Sequence, residues 1–554
     1  MRRRDRLLLL TPPLVQTNCP YPATAHLTGF LRSLGLQVEQ RDLSVKVALD
    51  VLREYGDDTT DELLELLQNP RIPADAKREA GAIIDELAIS IRDEIDPSFG
   101  FSRYAERICA SAADFGDIEK LIRKRGVIDK PLERRLEEAI AETRPTIIGV
   151  SCPFPGTLVG AFKIARYVKR RYPKIRLVLG GGFVSTELRE MNDPRPHKYF
   201  DDFVFDEGYA PLAKIMTGRD ARSLVVPPFV KPDYDGIDLD EYFDVVETGN
   251  PMHRLWSSGR WLRLVMARGC YWHKCAFCDV RLPYIGCFQK PDPVTIVDAM
   301  EALGGGWTKD GRRETERIPG FHFVDEAMPP ALIRGVCKEI IRRKFACEWW
   351  GNIRFDTSFT PELAKLMAKA GCIAVTGGLE CADDRLLKLM NKGITLASAK
   401  KAMKAFHDAG IMVHAYLMYG FPTETEKEAM GALEFVRDLF RRDLIQSAFW
   451  HRFALTVHSP IAAEPEKFGI KLVANSGARR PGYVFARKNS GARRPGYVFA
   501  RNEIGYDEPG APDWTRIGKT LNLALYNYLE GRGLDKPIAY WARLKSRISR
   551  QRQV

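Results

Sequence analysis

The chain begins with a short apolar run, RLLLLT (6–11), followed by a helical pattern over 22–34 and a second strand pattern, LQVEQRD (36–42). Short apolar runs alternating with amphipathic stretches predict an α/β unit. The alternation stops between 44 and 142. There DELLELLQN, EAGAIIDELAISIRDEI and PLERRLEEAIAE place apolar residues at helical spacing among dense charge, which predicts a helical insertion. It resumes with TIIGVSC (146–152), the helical AFKIARYVKRRY, RLVLGGGF (176–183) and FDDFVFDEGY (200–209). Residues 226–250, rich in Pro, Asp and Gly, predict a connector. Six further strand patterns follow: WLRLVMA (261–267), GFHFVD (320–325), CEWWGNIR (347–354), IAVTGGLE (373–380), VHAYLMYG (413–420) and SAFWHRFAL (447–455). Helical stretches such as TPELAKLMAKAG and LASAKKAMKAFHDAG separate them. Six strands with helical crossovers predict an open or partial β/α barrel, with its chemistry at the carboxyl ends of the strands.

Directly after the first of these six strands stands ARGCYWHKCAFCDV (267–280), with Cys270, Cys275 and Cys278 inside nine positions. A structural zinc takes four protein ligands, usually in matched pairs. Only one Cys-x-x-Cys is present, although Cys287 or His273 offers a fourth ligand. Three thiolates around an iron–sulfur cube leave one iron open to a small molecule. At the ends of the first-unit strands lie Ser151, the run Gly180, Gly181 and Gly182, and the pair Glu207 and Gly208. Glycines there let a bulky ligand come close to the backbone, as a plain strand-to-helix turn also would. The run lacks the Gly-Lys-Ser/Thr of a nucleotide phosphate loop.

Composition narrows the class. The 554 residues are 45% hydrophobic and 10% aromatic, ordinary for a globular chain of several domains, and the eleven cysteines do not form a disulfide framework. A reducing cytoplasm is the expected compartment. The opening MRRRDRLLLLTPPLV imitates a signal peptide, but four leucines before Pro12 are too few, and no apolar stretch reaches the ~20 residues of a membrane span. Seven basic residues of the +12 net charge lie in 475–502, where NSGARRPGYVFARK is followed by NSGARRPGYVFARN. This tandem duplication reads as a tolerated insertion in a surface loop; a basic hairpin for RNA is the other reading, and nucleic acid is not the expected partner.

Taken in order, RGC....CAFC after the first barrel strand, FHFVDEAM, GNIRFD, AGCIAVTGGLECADDRLLKLMNKGIT and AGIMVHAYLMYGFPTET resemble the radical S-adenosylmethionine superfamily. Upstream, TIIGVSCPF, VLGGGF and FDEGY resemble the cobalamin-binding domain of one of its branches. The chain departs from the common Cys-x3-Cys-x2-Cys spacing by one extra residue between Cys270 and Cys275. The resemblance implies a Rossmann-like cobalamin-binding domain over 1–225 with a helical insertion at about 44–142, and a linker at 226–255. It further implies a partial (β/α)6 radical SAM barrel over 256–455 and a C-terminal extension over 456–554.

The cofactors so implied are a 4Fe-4S cluster on Cys270, Cys275 and Cys278, S-adenosylmethionine, and cobalamin. Asp325, Glu326, Arg354 and Glu380 at strand ends are expected to hold S-adenosylmethionine, with Gly420 and Pro422 shaping its adenine side. Ser151, Gly180, Gly181, Gly182, Glu207 and Gly208 are expected at cobalamin. His26, in HLTG, lacks the aspartate of the Asp-x-His-x-x-Gly ligand motif and is expected to be a packing residue, which implies base-off cobalamin. The expected activity is methyl transfer to an unactivated carbon of a small-molecule or peptide substrate, served by an electron donor such as flavodoxin or ferredoxin. A radical cyclase or rearrangement enzyme is the alternative, and a zinc-stabilised RNA-binding protein the alternative of another class.

Overall fold

The computed structural model describes residues 5–543 apart from 70–71, 111, 113, 219–223, 246–249, 259–260, 305–319 and 474–496. Two parallel sheets organise the chain. The first has the order β2-β1-β3-β4-β5, formed by β1 (Arg6–Thr11), β2 (Gln37–Asp42), β3 (Ile147–Ser151), β4 (Arg176–Gly180) and β5 (Asp202–Phe203). Leu7 to Leu10 are all buried, as a strand covered on both faces requires. The predicted insertion is helical, from Leu43–Tyr55 to Asp129–Thr143, and its apolar stripes join the core on one face of this sheet.

The second sheet is the partial barrel, β6 (Leu262–Leu264), β9 (Gly320–Phe323), β10 (Glu348–Ile353), β11 (Cys372–Glu380), β12 (Met412–Tyr419) and β13 (Ser447–Arg452), in the order β13-β12-β11-β10-β9-β6. Between its first two strands a two-residue antiparallel pair, β7 (Arg268–Gly269) with β8 (Phe288–Gln289), brackets the cysteine loop. The crossover helices start where the sequence supplies caps, such as Thr395 with Ser398 and Thr425 with Glu428.

Several boundaries differ from expectation. β5 is two residues long rather than spanning 200–209, because Asp206 (φ 61°) and Gly208 (φ 76°) turn the backbone. β4 stops at Gly180, and Gly182–Thr186 is already helical. The helix Pro251–Ser258, not foreseen within the connector, closes the amino-terminal end of the barrel, where Met252 and Trp256 pack with Trp261 and Trp350.

The C-terminal extension returns to the first domain. Phe499 is fully buried there, its ring 5.0 Å from Phe115 and 6.5 Å from Phe162. Val498 N–H donates to Asn192 Oδ1 (2.6 Å), and Arg501 N–H donates to Glu187 O (2.7 Å). The chain then rejoins the barrel, where Ile504 N–H donates to Leu455 O (2.9 Å). Most of the 475–502 duplication lies outside the described residues; Tyr497 to Asn502 of its second copy form this strap. Among the described residues no helix is long and apolar enough to cross a membrane.

Candidate functional site

The three-cysteine loop is held from several sides. Cys270 N–H donates to Ile285 O (3.2 Å), Ala276 N–H to Met390 O (2.8 Å), and Trp272 Nε1–H to Asn391 O (2.9 Å). The extra residue between Cys270 and Cys275 is taken up by a left-handed turn at His273 (φ 38°), whose Nδ1 lies 2.8 Å from Cys270 O. Cys275 is buried, and Cys270 and Cys278 are half-buried. Burial pushes the Cys275 and Cys278 thiols up, while the charges of Lys392 and Arg354 work the other way at Cys275. Cys287 lies against Gly269, beside Arg268 and Glu207, its Sγ 3.6 Å from Tyr284 O. Among the described residues no group of three or more His, Cys, Asp or Glu side chains gathers around a single-ion position.

The strand-end residues take different roles. Asp325 is buried and accepts the N–H groups of Met266 (2.8 Å) and Ala267 (2.7 Å), so its carboxylate anchors the chain leading into the cysteine loop. Burial lifts its pKa to about 7. Glu326 is solvent-facing beside Cys278. Arg354 is buried, donates from Nη2 to Lys392 O (2.5 Å), and lies 4.4 Å over the Trp272 ring. Glu380 occupies a bulge of β11 (φ 66°) and pairs with buried Lys392 at 2.6 Å. Gly378 makes room for this pair, since a Cβ there would fall 2.8 Å from Lys392 Nζ. Lys392 thus joins the cluster loop to Glu380; sequence reading passed over it although it stands inside MNKGIT.

Gly420 ends β12, and Pro422 is buried behind it. Glu424 Oε2 accepts the N–H groups of Gly420 (2.6 Å) and Phe421 (3.1 Å), yet burial raises its pKa from 4.5 to about 8. A raised carboxyl pKa means the fold favours the protonated group, so the stability it contributes falls as pH climbs from about 4.5 through about 8. Thermal unfolding at about pH 5 and about pH 8 is therefore expected to show a drop in Tm for the native chain that is smaller in Glu424→Gln, the remainder coming from other buried carboxyls such as Asp325. Parallel Tm shifts in the two proteins would refute it.

On the first sheet, Ser151 pairs in register with Gly180 at the carboxyl edge, and its buried Oγ has no partner among the described residues. Gly181 adopts φ 109°, with Cys152 O only 2.5 Å from where a Cβ would sit. Gly182 and Gly208 follow at the two helix starts. Glu207 does not stand free: Arg268 grips it, with Nε donating to Oε1 at 2.6 Å and Nη2 donating to Oε2. Arg268 precedes Cys270 by two residues, so this clasp sets the glycine edge of one domain against the cysteine loop of the other. His26 is buried with Nε2 3.3 Å from Arg263 O, a packing histidine at the domain junction whose pKa burial lowers to about 4.

Comparison with known proteins agrees with this arrangement. Residues 351–436 match the radical SAM superfamily and residues 125–216 match the B12 binding domain. A relative described as anaerobic magnesium-protoporphyrin IX monomethyl ester cyclase, from Rubrivivax gelatinosus, is 23% identical over 55% of this chain and 56% of its own length. Bacteriochlorophyllide d C-12(1)-methyltransferase of Chlorobaculum tepidum is 25% identical over 29% of this chain and 34% of its own. The chain thus spans about half or less of these curated relatives. The radical S-adenosylmethionine methyltransferase TsrM of Kitasatospora setae, solved with cobalamin and a [4Fe-4S] cluster, shares the fold with a TM-score of 0.51 and 18% identity, over 85% of this chain and 81% of that one.

A radical SAM domain implies a 4Fe-4S cluster and S-adenosylmethionine, and a B12 binding domain implies cobalamin. The residues fit both. Three thiols on one loop, one buried and two half-buried, suit a multi-iron partner. An unpartnered buried hydroxyl beside a side-chain-free edge suits a large polar ligand.

Proposed function

From a chain that joins a B12 binding domain to a radical SAM superfamily domain, we propose a cobalamin-dependent radical S-adenosylmethionine enzyme that transfers a methyl group to an unactivated carbon. The observation that carries this reading is the Arg268–Glu207 clasp, which turns the glycine edge and the three-cysteine loop toward one another. When bound, the cluster supplies an electron that cleaves S-adenosylmethionine to a 5'-deoxyadenosyl radical, and cobalamin supplies the methyl group.

The chain's own residues do the positioning. Cys270, Cys275 and Cys278 hold the metal; Glu380, fixed by Lys392, and Arg354, fixed by its backbone bond and by Trp272, bracket the space beside it. Ser151 and Gly180 to Gly182 form the cobalamin edge. Holding both reactive ends in one space spares the encounter of two short-lived species. Electrons come from a flavodoxin- or ferredoxin-type donor, and the reducing cytoplasm is the matching compartment.

Anaerobic reconstitution with iron, sulfide, cobalamin, S-adenosylmethionine and reductant, followed by product analysis across substrate candidates, tests the proposal. Turnover is expected to give S-adenosylhomocysteine and 5'-deoxyadenosine in about equal amounts, one of each per methyl transferred. Deoxyadenosine with substrate turnover but no S-adenosylhomocysteine would sink methyl transfer and favour the second reading, a radical cyclase, to which the Rubrivivax relative's description lends support.

A further inference from the structure

The barrel interior contains a set of polar groups that the cofactor sites leave unused. At its amino-terminal end the inward positions of β6, β9 and β10 are Arg263, His322 and Trp350, adjacent in register. The His322 and Trp350 rings stack at 3.5 Å and 9°. One layer up, His414 on β12 places Nδ1 3.0 Å from Ser447 Oγ, and Trp256 of the closing helix meets its ring edge-on at 4.7 Å.

These side chains carry buried nitrogens without a hydrogen-bond partner among the described residues: Arg263 Nε, both ring nitrogens of His322, Trp350 Nε1, Trp256 Nε1 and His414 Nε2. Trp350 is 6% exposed and His414 1%. Each such group left unmet costs about 1–3 kcal/mol, and native interiors contain few of them. Other such atoms are scattered through the described residues, but six of them gather at this end of the barrel, and their gathering points to something that meets them.

The chemistry of the set describes that something. Arg263 Nε and the two indole N–H groups can only donate, so the occupant offers acceptors. Arg263 carries a fixed positive charge, and burial holds His322 and His414 neutral, which favours an anion over a cation. Towards the carboxyl ends of β12 and β13 the walls are aromatic and open to solvent, with Tyr416 37% and Phe449 51% exposed. Flat rings stack well on such walls.

We infer that the barrel lumen seats the substrate, and that the substrate is a planar aromatic molecule bearing a carboxylate or comparable oxygen-rich end, its acceptors turned to Arg263, Trp256 and Trp350 and its ring against Tyr416 and Phe449. This rests on the radical-enzyme reading above and adds the substrate class.

Equilibrium dialysis of the reconstituted holoenzyme with three probes tests it: indole-3-acetate, tryptamine (a similar ring with a cation) and hexanoate (the charge without a ring). Indole-3-acetate is expected to bind at least about tenfold more tightly than either other probe. Trp350→Phe, which keeps a ring and removes one donor, is expected to weaken it about three- to tenfold. Tyr416→Leu, a solvent-facing change that spares the fold, is expected to weaken it to a similar degree through lost stacking. Tryptamine or hexanoate binding as tightly as indole-3-acetate, no binding of indole-3-acetate, or native affinity in both variants would overturn the inference. Formation of 5'-deoxyadenosine is measured in the same preparation without probe. Its absence would count against the radical-enzyme reading while leaving the dialysis result to be judged alone.

Discussion

Replacing Cys270, Cys275 or Cys278 singly with alanine is expected to remove most of the iron from the reconstituted protein and all cleavage of S-adenosylmethionine. Each thiolate in a three-cysteine cube ligates a different iron, so no neighbour compensates for the missing one. The loop is also held by backbone hydrogen bonds to Ile285 and Met390 and by the Trp272 bond to Asn391, which use no thiol; the bond from His273 N–H to Cys270 Sγ (3.5 Å) is lost in Cys270→Ala. The variants should therefore fold, with unfolding curves close to that of the native apoprotein. Cys287→Ala is the control, because Cys287 stands on the Arg268 side of the hairpin and is expected to retain iron and activity. Iron and sulfide assays with the absorbance of the brown chromophore read the outcome. Loss of iron in Cys287→Ala, or retention in any of the other three, would end the three-cysteine reading.

The second large effect is expected at Gly181. Its φ of 109° is a conformation that side chains rarely adopt, and a Cβ would lie 2.5 Å from Cys152 O and 2.7 Å from Cys152 N. Cys152 cannot retreat cheaply, since its N–H donates to Gly180 O (2.7 Å) and its carbonyl accepts from Phe183 N–H (3.2 Å). Strain of this kind costs about 1–3 kcal/mol before the clash is counted. Gly181→Ala should relieve both by moving the turn and with it the edge beside Ser151. Cobalamin affinity is expected to fall by at least about tenfold, while iron content stays native because the cysteine loop belongs to the other domain. Unchanged cobalamin retention on gel filtration would show that this edge does not hold the cofactor.

Much of this architecture was legible because parallel strands buried on both faces leave unmistakable apolar runs. RLLLLT announces itself, VHAYLMYG reads as a strand although Tyr416 faces the open lumen, and a barrel order follows once such runs alternate with amphipathic helices. Boundaries were less legible where backbone geometry, not hydrophobicity, ends a strand. FDDFVFDEGY reads as one strand, but Asp206 and Gly208 turn it after Phe203. The closing helix Pro251–Ser258 was hidden because it is only eight residues long and follows a Pro- and Asp-rich connector.

Within the site, the cysteines stood out by spacing and the carboxylates by position at strand ends. Partners did not: Glu207 lies 61 residues from Arg268, and Glu380 is held by a lysine twelve residues on. Such pairings depend on tertiary contacts that a linear pattern does not encode. Asp325 shows the converse, a carboxylate in the expected place whose oxygens serve the backbone.

The strap at Phe499 bears on how this chain can be divided. A domain is usually detachable where its sequence ends, but here the core of the first domain is completed by a phenylalanine from beyond the barrel. A fragment ending before residue 497 would carry an open aromatic socket between Phe115 and Phe162, a surface prone to self-association. Split versions and fusions of this protein therefore need the last hundred residues to travel with the first two hundred. The same tether limits how far the two halves can hinge apart when a large cofactor has to come in between them.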